Sequence, residues 1–260
     1  MTAEHRAELR AAKALLETPG LAVKVTNLLG RPIEKGFEAL PARWRDRIGD
    51  ATRHALLLAI DGAARTMTAQ PQVATPGWHK AAAMLSGAAG GAFGLPALAI
   101  ELPVSTTIMC RSIADIARAN GESPDDVATR LACLEVFALG GTSSADDAAE
   151  TGYFAVRLAL AQAVSEAARY LATKSAIDQG APALVRLVAL IAARFQIQVS
   201  EKAAAQAVPV IGAASGALIN LLFIDHFQDV SRGHFTVRRL ERLYGVDVVR
   251  REYGLSGGPV

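Results

Sequence analysis

Apolar residues recur along this chain at spacings of three and four, and strand-type alternation is nearly absent. That spacing stacks side chains on one face of an α-helix, so the pattern predicts an all-α chain. A first helix covers about residues 3–17 and stops at Pro19-Gly20. A looser segment follows over 21–40, and Pro41 opens a longer amphipathic helix to Ala69. Residues 66–77, with Pro71 and Pro76, read as a linker. Ser123-Pro124-Asp125-Asp126 reads as a helix start with Ser123 as N-cap and proline at the first helical position. The helix after it ends at Gly140-Gly141. Ser144-Ala145-Asp146-Asp147 repeats the capping logic and opens a long helix to about Ile177, bent near Gly152. Gly180 and Pro182 precede another apolar helix over 183–205. Pro209 starts the next, and Gly233 and Gly245 mark later breaks.

Two stretches stand out against this amphipathic background. Residues 81–100 (AAAMLSGAAGGAFGLPALAI) carry no charge and are closed by Glu101-Leu102-Pro103. Residues 203–224 (AAAQAVPVIGAASGALINLLFI) are closed by Asp225-His226. Gly87/Gly91, Gly90/Gly94 and Gly212/Gly216 form small-xxx-small pairs that let helix backbones approach closely. A membrane-spanning helix needs roughly 20 predominantly apolar residues. Pro96, Pro103 and Pro209 interrupt these two, and the uninterrupted piece 210–224 covers only about 22 Å of a ~30 Å hydrocarbon core. The expectation is a multi-helix bundle around the two glycine-rich helices, packed as a central hairpin. The distances from Gly94 to Gly121 and from Gly216 to Gly245 are similar, as in a weak internal repeat. The helix over 183–205, with Arg186 and Arg194 on a run of Leu, Val and Ile, suits either a core-facing position or a membrane interface.

Composition fits close helix packing. Of 260 residues, 51% are hydrophobic but only 5% aromatic, so Ala, Leu, Val and Ile supply the apolar surface. Lys and Arg number 27 against 25 Asp and Glu, a net charge of +2 without a basic stripe, which argues against nucleic acid as a partner. Cys110 and Cys133 sit singly in apolar runs and read as buried, reduced thiols, which places the protein in the cytoplasm. The first residues are charged and helical, unlike a secretory signal.

Candidate chemistry is sparse. The densest polar group is Asn220, Asp225, His226, Asp229, Arg232 and His234. Asp225 and Asp229 share a helix face, and the Asp225/His226/Asp229 region with Glu101 or Asp115 is the ligand set of an alternative reading, a metal-dependent hydrolase. No His-Glu-x-x-His motif is present, and the plainer reading pairs these acids with Arg232 and Arg238, so no metal is assigned. The run SGAAGGAFG lacks the Lys-Ser/Thr of a phosphate loop and the spacing of a dinucleotide fingerprint, so no cofactor is expected. Gly-x-Ser-x-Gly is absent, and no catalytic residue is assigned. Glu101, closing an uncharged run, either reaches solvent or is buried against Arg111 or Arg157. Tyr153, Arg157 and Asn220 are polar groups in apolar helices, expected to satisfy one another or to line a small groove. The candidate polar cluster is therefore Glu101, Arg157, Asn220, Asp225, His226 and Asp229. The candidate packing glycines are Gly87, Gly90, Gly91, Gly94, Gly212 and Gly216.

Several of these motifs, in order, resemble a known family. Ser86-Gly87, Gly90-Gly91 and Gly94 are followed by Glu101-Leu102-Pro103 and by Arg111-Ser112-Ile113-Ala114-Asp115-Ile116-Ala117 before Gly121. Leu134-Glu135-Val136-Phe137-Ala138-Leu139-Gly140-Gly141 and Glu150-Thr151-Gly152-Tyr153-Phe154-Ala155-Val156-Arg157 come next. Pro209 to Gly216, Asn220, His234-Phe235 and Arg239-Leu240-Glu241-Arg242-Leu243-Tyr244-Gly245 complete the set. From residue 78 to 253 the chain resembles the EcsC protein family, with Glu101 where members often carry an aspartate-containing turn. The resemblance implies a bacterial helical protein, associated with an ABC-transporter system, with no agreed activity and no catalytic residues to carry over. The expected organisation is an N-terminal helical arm over 1–70 and an EcsC-like helical domain over 78–255. The expected role is non-enzymatic: an accessory or regulatory factor, cytoplasmic and peripheral to the inner membrane, contacting that membrane or a membrane-protein partner. The alternatives are the metal-dependent hydrolase and a pocket for an acyl chain between the glycine-rich helices.

Overall fold

The computed structural model describes residues 1–17, 42–66, 80–82, 98–123, 125–140, 152–173, 180–206 and 213–255. The principal helices are α1 (Ala3–Leu16), α2 (Ala42–Thr66), α3 (Leu98–Ala119) and α4 (Val127–Leu139). They continue with α5 (Gly152–Thr173), α6 (Pro182–Gln206), α7 (Ala213–Tyr244) and α8 (Val246–Leu255). No strand occurs among the described residues, as the periodicity predicts. Gly87, Gly90, Gly91, Gly94 and Gly212, and with them the small-xxx-small pairing, lie outside the described residues. Gly216 falls within the backbone of α7.

The bundle closes around α4. Every residue from Leu131 to Gly140 is buried, as expected of a helix that is apolar on all sides. Phe137 packs against Phe195 of α6 at 4.9 Å and Phe227 of α7 at 5.3 Å between ring centroids. Leu9 and Ala12 of α1 and Ile48, Ala55 and Leu56 of α2 belong to the same buried cluster. In α5 the buried set Tyr153, Val156, Leu160, Ala163 and Ala167 follows a three-four spacing, leaving the opposite side to solvent.

Helices α3 and α7 lie side by side and run in the same direction. Glu101 meets Asn220, Ser112 meets Gln228, and Glu122 meets Arg238, so position rises together along both. That parallel course holds for α3 and α7; the expected hairpin of the glycine-rich stretches falls largely outside the described residues. The described ends of the two charge-free stretches, 98–100 and 213–224, continue into the amphipathic helix after each. Pro103 lies inside α3 rather than ending it, and Asp225-His226 sit mid-way along the 32-residue α7. Both helices do end at a glycine of positive φ, Gly121 (77°) and Gly245 (83°), the left-handed conformation that glycine adopts without a Cβ clash. At the first, Glu122 N–H bonds the Ala117 carbonyl at 3.1 Å and Gly121 N–H bonds that of Arg118 at 3.0 Å, a Schellman close.

Two further boundaries differ from expectation. The N-cap of α4 is Asp126, whose carboxylate accepts the Ala128 N–H at 3.2 Å. Ser123 instead uses its carbonyl to close a turn onto Asp126 N–H. Gly233 is no break, because α7 runs straight through it. A Cβ there would stand 2.7 Å from Leu16 Cγ and 2.9 Å from the Ala12 carbonyl oxygen, so the glycine lets α1 lie directly on α7. Contacts from His5 to Tyr244 and from Glu8 to Arg239 make that crossing antiparallel.

Candidate functional site

The sequence-derived polar residues divide into separate groups. Glu101 lies in the first turn of α3, where the helix dipole favours an anion. Its Oε1 accepts from Lys202 Nζ of α6 at 2.7 Å and from Asn220 Nδ2 of α7 at 2.8 Å. Lys202 is 0% exposed, with its ammonium 4.9 Å from the centroid of the Phe223 ring. Neither Arg111 nor Arg157 partners Glu101: Arg111 is exposed, and Arg157 is engaged elsewhere. Glu101 Oε2 is buried without a hydrogen-bond partner.

Arg157 and Tyr153, one turn apart on α5, do satisfy each other, through an Nη1 donation to the phenol oxygen at 3.3 Å. Arg157 also forms a fork onto Glu241 of α7, with Nη1 to Oε1 at 2.7 Å and Nη2 to Oε2 at 3.0 Å. The phenol oxygen also shares a hydrogen bond with His234 Nδ1, 2.9 Å away, in which the imidazole tautomer decides the donor. On the other side of the ring, His234 Nε2 faces Glu135 Oε2 at 3.9 Å. Burial, followed by Arg157 and Arg238, pushes His234 well below the ordinary histidine value. Burial raises the Glu135 carboxyl, with Arg157 and Arg238 opposing it. Burial also raises the Tyr153 phenol. For Arg157 burial acts to lower the value, but Tyr153 and the Glu241 fork hold it above normal. Tyr253 of α8 stacks on Tyr153 at 5.7 Å, so this network ties α4, α5, α7 and α8 together.

A further carboxylate joins three helix ends. Glu122 accepts from Arg238 at 2.9 Å, from Thr129 at 2.9 Å, and from Arg242. Burial alone would raise its carboxyl, but those two arginines and the threonine bring it below the usual glutamate value.

Asp225, His226 and Asp229 do not converge. Asp225 pairs with Lys80 at 2.6 Å, and Asp229 pairs with Arg232 one turn on at 2.8 Å. His226 is buried, its Nε2 donating to the Gly140 carbonyl at the end of α4 at 2.6 Å. Among the described residues no three His, Cys, Asp or Glu side chains gather to hold a metal. The hydrolase alternative therefore has no assembled ligand set there. Cys110 and Cys133 are both buried and free. Burial pushes the Cys110 thiol up to about 12, and burial together with Cys110 raises Cys133 well above its ordinary value.

The residues missed in the sequence are Lys202, Glu135, Glu241 and Glu122. Lys202 had a legible signal, since it continues the buried stripe Leu184, Val188, Ile191, Phe195 and Gln198 of α6 at helical spacing.

The remaining surface of interest is the outer side of α6. Val185, Ala189, Leu190, Ala193 and Ile197 are exposed along one face, at 49% for Val185, 40% for Leu190 and 38% for Ile197. On the neighbouring α5, Leu158 is 71% exposed, on the side of the helix that also carries Gln162 and Glu166. Among the described residues, the segment Pro182–Ala203 is long and apolar enough to cross a membrane by length and composition, a property that core helices of soluble proteins share.

Compared with family models, residues 3–240 match that of the EcsC protein family, from the start of α1 almost to the end of α7. The chain belongs to the EcsC protein family. No match was found among curated proteins or among solved structures. The match takes in residues 3–77 as well as the stretch whose motifs carry the resemblance. Glu101, Arg157 and Asn220 thus lie inside the matched region as partners in two separate buried networks.

Proposed function

We propose that the protein is a non-enzymatic accessory or regulatory factor that works by docking on the inner face of the cytoplasmic membrane, with α6 and the adjoining edge of α5 as the contact. The observation that carries this reading is the outer face of α6. Its exposed positions over 185–197 are all apolar apart from Arg186. A solvent-facing helix ordinarily presents polar residues outward. Here the polarity is reversed at one end, with Gln198, Ser200 and Lys202 turned inward. An outward apolar stripe bordered by arginine suits a helix lying in the headgroup region of a bilayer. The buried polar residues support a structural rather than a catalytic part, because Glu101, Arg157 and His226 spend their hydrogen bonds on other helices.

Vesicle flotation tests the reading. The intact protein is expected to float with phospholipid vesicles, and Leu190→Asp combined with Ile197→Asp to return it to the soluble fraction. Half-exposed Val, Leu and Ile side chains together offer about 2–4 kcal/mol on burial in the interface, enough for a clear shift in partition. Wild-type protein that stays soluble with every vesicle composition would sink the proposal.

A further inference from the structure

The charge bordering the α6 stripe has a specific arrangement. Arg186 and Arg194 are the basic residues of α6 ahead of Lys202, and Glu201 is its single acid. On α5, Arg157 is committed to Glu241 by two short bonds. Arg186 is held very differently. Its side chain is 55% exposed, and its guanidinium touches Glu166 Oε2 at 3.5 Å, at the limit of a hydrogen bond. Glu166 meanwhile accepts from Gln162 Nε2 at 2.9 Å through its other oxygen. An exposed, long, single contact of this kind contributes less than about 1 kcal/mol, and it occupies one of the five donors of the guanidinium.

Position matters as much as strength. Arg186 follows Val185 directly and stands one turn before Leu190, so its aliphatic stem runs beside the apolar stripe. A helix lying in a membrane interface places its arginines there, stem along the apolar boundary and head at the level of the phosphates. A phosphodiester also offers the guanidinium a two-pronged partner that the distant Glu166 oxygen does not. We infer that Glu166 is an internal stand-in for a lipid phosphate. On the bilayer Arg186 leaves Glu166 for the headgroup of an anionic lipid, while Val185, Leu190 and Ile197 enter the acyl boundary. Glu166 then faces the same headgroups with its own charge and holds back binding to weakly anionic surfaces. This inference rests on the membrane-docking reading and adds the lipid class and the residue that selects it.

The test is flotation of the full chain with two kinds of vesicle: phosphatidylcholine alone, and phosphatidylcholine with a quarter phosphatidylserine. A basic side chain near an anionic surface is worth about 1 kcal/mol, or about fivefold in partition. Arg186→Gln should lose about that factor on the anionic vesicles and clearly less on phosphatidylcholine, where choline offsets the charge of each phosphate. Glu166→Gln should bind the anionic vesicles more tightly than wild type and leave phosphatidylcholine unchanged. High salt should remove both differences, because surface charges are screened over a few ångströms. Circular dichroism checks that the two surface variants keep the wild-type fold. The inference is overturned if both variants partition like wild type on both vesicles. If Leu190→Asp with Ile197→Asp binds as wild type does, the docking reading fails instead. Wild-type protein that floats with neither vesicle removes both.

Discussion

Glu101 and Lys202 stand 101 positions apart in the chain and meet at 2.7 Å in the core, where Asn220 completes the contact. Taking two charges out of water costs several kcal/mol each, and their attraction offsets this only while both are present. The pair therefore fixes how α6 lies against α3 more than it adds net stability.

Removing one partner is expected to be much worse than removing both. Glu101→Ala should destabilise the protein by about 3–5 kcal/mol, because it leaves the Lys202 ammonium buried and uncompensated. Glu101→Leu with Lys202→Met should recover most of that loss. Urea unfolding at neutral pH measures both, and a double variant no more stable than Glu101→Ala would contradict the account.

Two glycine substitutions should fail for different reasons. Gly233→Ala gains helix propensity worth about 1 kcal/mol, yet its methyl meets Leu16 and the Ala12 carbonyl. Overpacking of this kind costs about 1–3 kcal/mol, and the loosened contact should expose α1 to limited proteolysis. At Gly245 the space is open but φ is +83°, so Gly245→Ala should cost about 1 kcal/mol through backbone strain without releasing α1. Equal protease sensitivity in the two variants would count against this distinction.

The buried histidine and glutamate set opposite pH slopes. His234 titrates well below its ordinary value in the folded protein. In the unfolded chain it takes up a proton near pH 6.5, so its effect is a loss of stability as pH falls below about 6.5. Glu135 is raised, so the folded state holds its proton to higher pH. Its effect is a gain in stability as pH falls toward about 4.5, lost again as pH rises through the folded value. His234→Gln keeps a hydrogen-bonding group beside Tyr153 and removes the first slope, up to about 1.4 kcal/mol per pH unit. Unfolding free energies between pH 7.5 and pH 5, taken for both proteins, read the difference. Identical slopes would show that His234 does not titrate as assigned.

Both thiols should be silent while the protein is folded. Cys110 and Cys133 are buried and their thiols are pushed up, Cys110 to about 12. Since the thiolate is the nucleophile, iodoacetamide at pH 8 should label them only after denaturation. Rapid labelling of native protein would mean that α3 and α4 separate readily.

Much of the fold was legible because helical periodicity is a local signal. Pro41 and Pro182 announce α2 and α6 at their starts, and Gly245 closes α7 as its place in the sequence suggests. What escaped was set by distant chain. Gly233 looks like a break until α1 is laid across it, and nothing near position 233 announces that helix. Asp225 and His226 look like a cluster because they are neighbours, but about 100° around a helix separates them, one toward Lys80 and the other toward Gly140. Ser123 is as good a capping residue as Asp126, and local chemistry alone does not rank them. Lys202 lies on the buried face that helical spacing marks, but its partner, on another helix, was beyond a local pattern.

With all ten residues from Leu131 to Gly140 enclosed, this part of α4 has no side from which water reaches its backbone unless a neighbour leaves. The amide hydrogens of 131–140 should consequently exchange with deuterated solvent only when the whole bundle opens, and in refolding they gain full protection as the surrounding helices close over them.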